Sequence, residues 1–219
     1  MTDLRLDFDR AARTGVPEAA LCEHKSAAQI AAIAVAVAQA RGRMMFTRLW
    51  PEMFAVLPAD LRQILDYDSL SGTAFLGLAD PAPKMIDGIG IVAAGTSDLP
   101  VAREAARTLT FHGYAASLTA DVGVAGLWRL TGQLEALRRH RLIIAVAGME
   151  GALFPVLAGL VEAPIIAVAS AVGYGVAAGG RVALDAALAS CAPGVLAVNI
   201  NNGFGAAAAA VKIFRSMAR

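Results

Sequence analysis

IGIVAA (residues 89–94), LIIAVAG (142–148), PIIAVAS (164–170) and GVLAVNI (194–200) are short apolar runs without polar alternation. A strand reads this way when both faces of its sheet are covered. Segments of helix length separate the runs, as βαβ crossovers require. The expected fold class is therefore α/β, a three-layer, doubly wound parallel sheet of the flavodoxin-like kind. Residues 83–219 carry this domain. A small N-terminal α/β region, residues 1–82, precedes it, and the proline-rich stretch 80–83 reads as the linker.

Within the N-terminal region, Ser26 is the expected N-cap of a helix AAQIAAIAVAVAQA that ends before Arg41-Gly42. Residues 44–48 and 73–78 read as strands. Cys22 falls in a strand-like stretch, 19–24, and reads as packing. At the other end, the alanine run 206–210 reads as a tightly packed helix.

In open α/β sheets a ligand sits beyond the C-terminal ends of the strands. The residues following each run are small and polar: Gly95-Thr96-Ser97-Asp98, then Gly148-Met149-Glu150-Gly151, then Gly173-Tyr174-Gly175, then Asn199-Ile200-Asn201-Asn202. A fifth loop holds Asp121, Val122 and Gly123. Glycine-exposed backbone amides at helix starts suit anions, so a phosphorylated small molecule is the expected ligand.

Composition excludes several classes. Of 219 residues, 19 are basic and 18 acidic, giving a net charge of +1 and no field for nucleic acid. A hydrophobic fraction of 57% with 17% charged residues excludes disorder. Two cysteines exclude a disulfide scaffold and a four-cysteine zinc site. Mean hydropathy is high, +0.58. The longest uncharged stretches, 163–180 and 186–211, are broken by proline, glycine and asparagine, so no spanning helix is expected. The N-terminus has no apolar signal core. A soluble cytoplasmic protein without a membrane partner is the expectation, its surplus apolar surface assigned to subunit interfaces.

Cys191 lies beside a Pro-Gly turn between a helix and the last strand. A buried inert thiol is the commoner role for a lone cysteine, and a helix C-terminus does not favour thiolate. Asp98, Glu150 and Asp121 fall in loops at the expected ligand edge, where a carboxylate serves as acid, base, Mg²⁺ ligand or helix cap. His24, His112 and His140 follow none of the four strands, so a histidine-driven engine has no obvious base. Arg138-Arg139-His140-Arg141 reads as a solvated helix end. Trp50 and Trp128 read as core or interface anchors.

GTSDLPVA (95–102), ADVGVAGLWRL (120–130), VAGMEGALFPVLAGLV (146–161), PIIAVASAVGYG (164–175), SCAPGV (190–195) and NINNGFGAA (199–207) closely resemble the LarB family. RTGVPEAALCEHKSAAQIAAI (13–33) and FTR (46–48) extend the resemblance into the N-terminal region. LarB proteins are pyridinium-3,5-biscarboxylic acid mononucleotide synthases, which begin assembly of the nickel-pincer nucleotide. Their C-terminal domain is similar to the aminoimidazole ribonucleotide carboxylase/mutase of purine synthesis.

The resemblance implies carboxylation by CO2 at C5 of the pyridinium ring of nicotinic acid adenine dinucleotide, with hydrolysis of the phosphoanhydride to release AMP. It implies that Cys191 forms a covalent adduct and that Glu150 or Asp98 moves the proton. Gly95, Thr96, Ser97, Asp121, Gly123, Gly148, Met149, Gly151, Gly173, Tyr174, Gly175, Asn199, Asn201 and Asn202 would line the substrate, with Lys25 and Arg48 reaching phosphate. It implies Mg²⁺ and a homo-oligomer, with the octamer of the purine-pathway relatives as its model. The chain departs from the family in two places: Asn201 stands for an aspartate in NIDNGFGA, and VASAVGYG for VPTSVGYG loses a proline and a hydroxyl. The rival readings are the purine-pathway carboxylase, which relies on a histidine absent from AGMEGALFPV (147–156), and a non-catalytic nucleotide-binding module.

Overall fold

The computed structural model describes residues 4–77 and 85–218. The expected linker, 80–83, lies outside the described residues, as does Leu78. Two compact units emerge. One is N-terminal and includes the last residues from Arg215, and the other spans Met85–Phe214.

The N-terminal unit runs α1 (Arg10–Thr14), β1 (Ala19–Leu21), α2 (Ala27–Gln39), β2 (Met44–Thr47), α3 (Pro51–Ala55), α4 (Ala59–Ile64), β3 (Asp66–Asp68) and β4 (Thr73–Leu76). Its sheet has the order β1-β2-β4-β3. β1 and β2 are parallel, joined by the α2 crossover, and β4 is antiparallel to β2 and β3. Ser26 caps α2 as expected: its Oγ accepts from the Gln29 amide at 3.3 Å, and Gln29 Oε1 accepts the Ser26 amide at 2.9 Å. Ile30, Ile33, Ala34 and Val37 fall on one helical face and enter the core with Phe46, Leu49 and Leu76. Cys22 is buried there, and burial pushes its thiol up to about 12. That fits the packing role.

The larger unit runs β5 (Ile86–Ala93), α5 (Leu99–Phe111), β6 (Tyr114–Thr119), α6 (Leu127–Thr131), α7 (Leu134–Leu137), β7 (Leu142–Ala147), α8 (Leu153–Ala158), β8 (Ile165–Ala169), α9 (Arg181–Leu188), β9 (Val195–Val198) and α10 (Gly203–Met217). Its five strands are all parallel, in the order β6-β5-β7-β8-β9. This is the flavodoxin-like α/β fold. β7 and β8 are buried at every residue, as their unbroken apolar runs foretell. The alanines of α10 are small so that the helix can lie close, and Ala206, Ala207 and Ala210 are fully buried. At the start of α10 the buried Glu104 of α5 accepts the Phe204 amide at 3.1 Å, a carboxylate placed at the positive end of a helix dipole.

His140 is not part of a solvated helix end. Its ring lies against Gly90 of β5, where any Cβ would come within 2.5 Å of it, and its Nε2 shares a 2.8 Å hydrogen bond with Ser117 Oγ of β6. Of its neighbours, Arg139 pairs with Glu135, Arg138 donates to the Leu160 carbonyl and Arg141 sits over the Phe214 ring. Burial holds His140 below the ordinary histidine value of 6.5. The fold therefore favours the neutral ring, and the unfolded chain takes up the proton first as pH falls. The stability this contributes is present above about pH 6.5 and is lost as pH drops through the lower folded value. His140→Gln is expected to flatten the acid limb of a Tm-versus-pH profile below about pH 6.5.

Candidate active site at the switch point

β6 and β7 lie on opposite sides of β5, so the chain reverses direction there and leaves a crevice beyond the C-terminal strand ends. The register aligns those ends: Ala93 pairs with Val146, Ala147 with Ala169, and Val168 with Val198. The loops beginning at Ala94, Gly148, Ser170 and Asn199 therefore emerge side by side. Asp121 and Gly123, after β6, join the same edge. There the Val122 amide reaches the Ala93 carbonyl, and a Cβ on Gly123 would come within 3.0 Å of the Ala94 carbonyl oxygen.

A buried carboxylate clamps these loops. Asp98 is only 3% exposed. Its Oδ2 accepts the Gly95 amide at 2.9 Å, which curls Gly95-Thr96-Ser97 over it, and its Oδ1 accepts Ser170 Oγ at 2.5 Å. Ser170 is itself buried, and its Oγ also accepts from the Val172 amide at 3.4 Å. Gly148 must be glycine, because a Cβ would run into Val172 and come within 2.8 Å of Ser170 Oγ. The Met149 amide donates to the Val172 carbonyl at 2.7 Å. Asp98 thus ties the loop after β5 to the loop after β8, and the Met149–Val172 bond joins the loop after β7 to that pair. The lost family hydroxyl is at Ala171; the hydroxyl at 170 that holds Asp98 is retained.

Asn201 accounts for the other departure. It accepts the Ala171 amide on its Oδ1 at 2.8 Å, and its own amide donates to the Ala169 carbonyl at 2.8 Å. Its φ is +55, a conformation asparagine and aspartate tolerate better than other non-glycine residues. The fold needs an acceptor oxygen here, which an amide supplies as well as a carboxylate does. Asn201→Asp is expected to keep the native stability within about 0.5 kcal/mol. Asn201→Ala loses the bond and keeps the unfavourable φ, and is expected to cost about 1–3 kcal/mol in urea unfolding.

Backbone strain marks the site in a way the sequence did not announce. Among the described residues, five that are not glycine have positive φ: Arg41, Arg48, Asp121, Met149 and Asn201. Asp121, Met149 and Asn201 lie at this edge of the larger unit, and such outliers collect where function fixes a side chain; Arg41 and Arg48 belong to the N-terminal unit.

Glu150 is exposed beyond β7, and among the described residues its carboxylate has no partner. Asp121 pairs with Arg129 at 2.7 Å. Tyr174 is 77% exposed, above Gly173 and Gly175. Asn202 turns back to cap the start of α10, its Oδ1 accepting the Gly205 amide at 2.7 Å, and Asn199 Oδ1 accepts the next amide, Ile200, at 2.9 Å. Among the described residues no group of three or more histidine, cysteine, aspartate or glutamate side chains converges as a metal site. Of the carboxylates at this edge, Asp98 is engaged in the clamp and Asp121 with Arg129.

Cys191 is exposed and unpaired, but it does not join this edge. It precedes β9. Val195 pairs with Ile165, and Ile143 beside it also pairs with Ile165, so Cys191 emerges with the N-terminal strand ends. A five-residue strand, about 16 Å, separates the two edges. His112, at the end of α5, and His140, before β7, lie at that N-terminal edge too. In the N-terminal unit, Lys25 and Arg48 follow the adjacent parallel strands β1 and β2, and Arg48 lies 3.4 Å from Glu23.

Comparison with known proteins bears on both units. Residues 1–77 match the LarB/PurE-like N-terminal domain, and residues 88–218 match the AIR carboxylase family. An uncharacterized protein of Methanocaldococcus jannaschii is 37% identical over 211 residues, covering 93% of this chain and 80% of the relative.

Proposed function

The chain belongs to the AIR carboxylase family and carries a LarB/PurE-like N-terminal domain, and on that premise we propose that it carboxylates the pyridinium ring of nicotinic acid adenine dinucleotide and hydrolyses the phosphoanhydride, releasing AMP. The family's chemistry is carboxylation. What distinguishes this chain is its set of reactive side chains, and that set carries the reading. Among the described residues of the larger unit, no histidine lies at the ligand edge, whereas Glu150 offers an unpaired carboxylate there and Cys191 an accessible thiol.

A pyridinium ring is electron-poor and does not attack CO2. Within one copy Cys191 lies at the strand ends opposite Glu150, so the thiolate comes from a neighbouring copy of the homo-oligomer that the resemblance implies; its addition at C4 converts the ring to a neutral dihydropyridine whose C5 is the nucleophilic carbon of an enamine. C5 then bonds to CO2, leaving an iminium and a hydrogen on C5. Glu150 accepts that proton, the C5–C6 double bond reforms, and the sulfur leaves C4 with its electron pair. The aromatic cation returns with a second carboxylate. Covalent catalysis of this kind splits one inaccessible step into several accessible ones. Asp98, with both oxygens engaged, positions the loops, so the proton falls to Glu150. The glycine-lined loops receive the phosphoribosyl group through backbone amides. The Mg²⁺ implied by the resemblance would travel with the substrate's diphosphate.

The test is incubation with nicotinic acid adenine dinucleotide, Mg²⁺ and bicarbonate. AMP and a dicarboxylated mononucleotide, identified by mass, are the expected products. Folded protein yielding neither would overturn the reading in favour of a binding module. Turnover of aminoimidazole carboxyribonucleotide instead would favour the purine-pathway reaction.

A further inference from the structure

We propose that Trp128 is a stacking platform for the adenine of the dinucleotide substrate, and so the residue by which this chain holds a dinucleotide more tightly than a nicotinate mononucleotide. This rests on the function proposed above and adds a specificity contact to the same site.

Trp128 is 76% exposed, so it anchors no core. Among the described residues no aromatic ring or cation lies against its indole. The main chain beneath it is nonetheless held firmly. Leu130 of the same helix, α6, is fully buried in the core with Val92 and Val122. The Trp128 carbonyl accepts the Thr131 hydroxyl at 3.2 Å and the Gly132 amide at 3.0 Å. The next side chain, Arg129, pairs with Asp121 at 2.7 Å and folds over Gly126, where a Cβ would come within 2.8 Å of its Nε. An open ring on a fixed backbone suits stacking, because little conformational freedom is left to lose on binding.

The sheet order puts this ring where the second half of a dinucleotide has to go. α6 follows β6, and β6, β5 and β7 are neighbours in that order. Glu150, which takes the proton from the pyridinium ring, follows β7. The Gly95-Thr96-Ser97 loop follows β5, between the two. β6 and β7 are two strand spacings apart, about 10 Å. A nicotinate ring beyond β7 therefore sends its diphosphate over the β5 loop and its adenosine towards β6, since dinucleotides lie across the crevice of a doubly wound sheet. The nicotinate end is not the occupant of the platform, because its C5 has to stand at Glu150. A purine stacks on an indole through its π face and needs no hydrogen-bond pattern to do so.

The experiment compares the wild-type chain with Trp128→Ala and Trp128→Phe. Tryptophan fluorescence is followed during titration with AMP, binding of nicotinic acid mononucleotide is measured by calorimetry, and kcat and KM are measured for nicotinic acid adenine dinucleotide. AMP should quench part of the wild-type emission, and Trp128→Ala should lose that quench while keeping the emission of Trp50. The KM of Trp128→Ala is expected to rise about ten- to a hundredfold with kcat within about twofold, because the stack is the same in the ground and transition states. Trp128→Phe keeps an aromatic face and should recover most of the loss, and mononucleotide binding should be unchanged in both variants. An unchanged KM, or an equal loss of mononucleotide binding, would overturn the platform. A change in assembly size by light scattering in Trp128→Ala would also overturn it and make the indole a subunit contact. Wild-type protein that forms no product, yet shows the AMP quench through Trp128, would uphold the platform and count against the carboxylation.

Discussion

Cys191→Ser is expected to abolish carboxylation, lowering the rate at least about a thousandfold, because a serine hydroxyl is far less nucleophilic than a thiolate and nothing at the site replaces it. The fold should be unaffected. Cys191 is exposed and lies in a loop, so Tm should stay within a degree or two. Mass spectrometry of intact protein mixed with substrate gives a second readout: the wild-type chain should gain a substrate-sized adduct that the variant lacks. Unchanged turnover in the serine variant would remove the thiol from the mechanism.

Glu150→Gln is expected to lower kcat by about 10²–10⁴, the range typical of a lost general acid–base group, with KM nearly unchanged. Glutamine keeps the size and loses only the ability to accept the C5 proton. A solvent-exposed residue with no partner among those described supports no other part of the fold, so stability should be unaffected. Substrate deuterated at C5 should then show a larger isotope effect in the variant than in the wild-type chain, since proton removal has become the slow step. By contrast, Asp98→Asn strips an acceptor from a buried clamp, and its effect should appear in Tm as well as in rate. Comparing the two separates a group that reacts from one that holds loops in place.

Much of the architecture was legible in the sequence because burial on both faces leaves a plain signature. β5, β7, β8 and β9 stood out as apolar runs. β6 did not: at the sheet edge, Tyr114 points inward while Ser117 and Leu118 are exposed, which breaks the run. The short elements α1, α3, α4 and β3 also went unread, being too brief for a period to register. The ligand edge was legible from the glycines after each strand. The clamp was not, because Asp98 and Ser170 lie 72 residues apart and meet only when β5 and β8 are brought into one sheet. Left-handed Met149 has no sequence mark at all. Asn201 had a faint one in the tolerance of asparagine for that conformation. The position of Cys191 was available all along in the order of elements, since a residue that precedes a parallel strand cannot stand with those that follow one.

The contrast between the two sulfurs makes the native chain its own labelling reagent. Cys22 is sealed in the core with its thiol pushed up to about 12, while Cys191 is open to solvent. A maleimide dye at neutral pH should attach once per folded chain and twice once the chain is unfolded. A fluorophore can thus be installed at a single address without engineering, and the count of dyes per molecule doubles as a denaturation gauge.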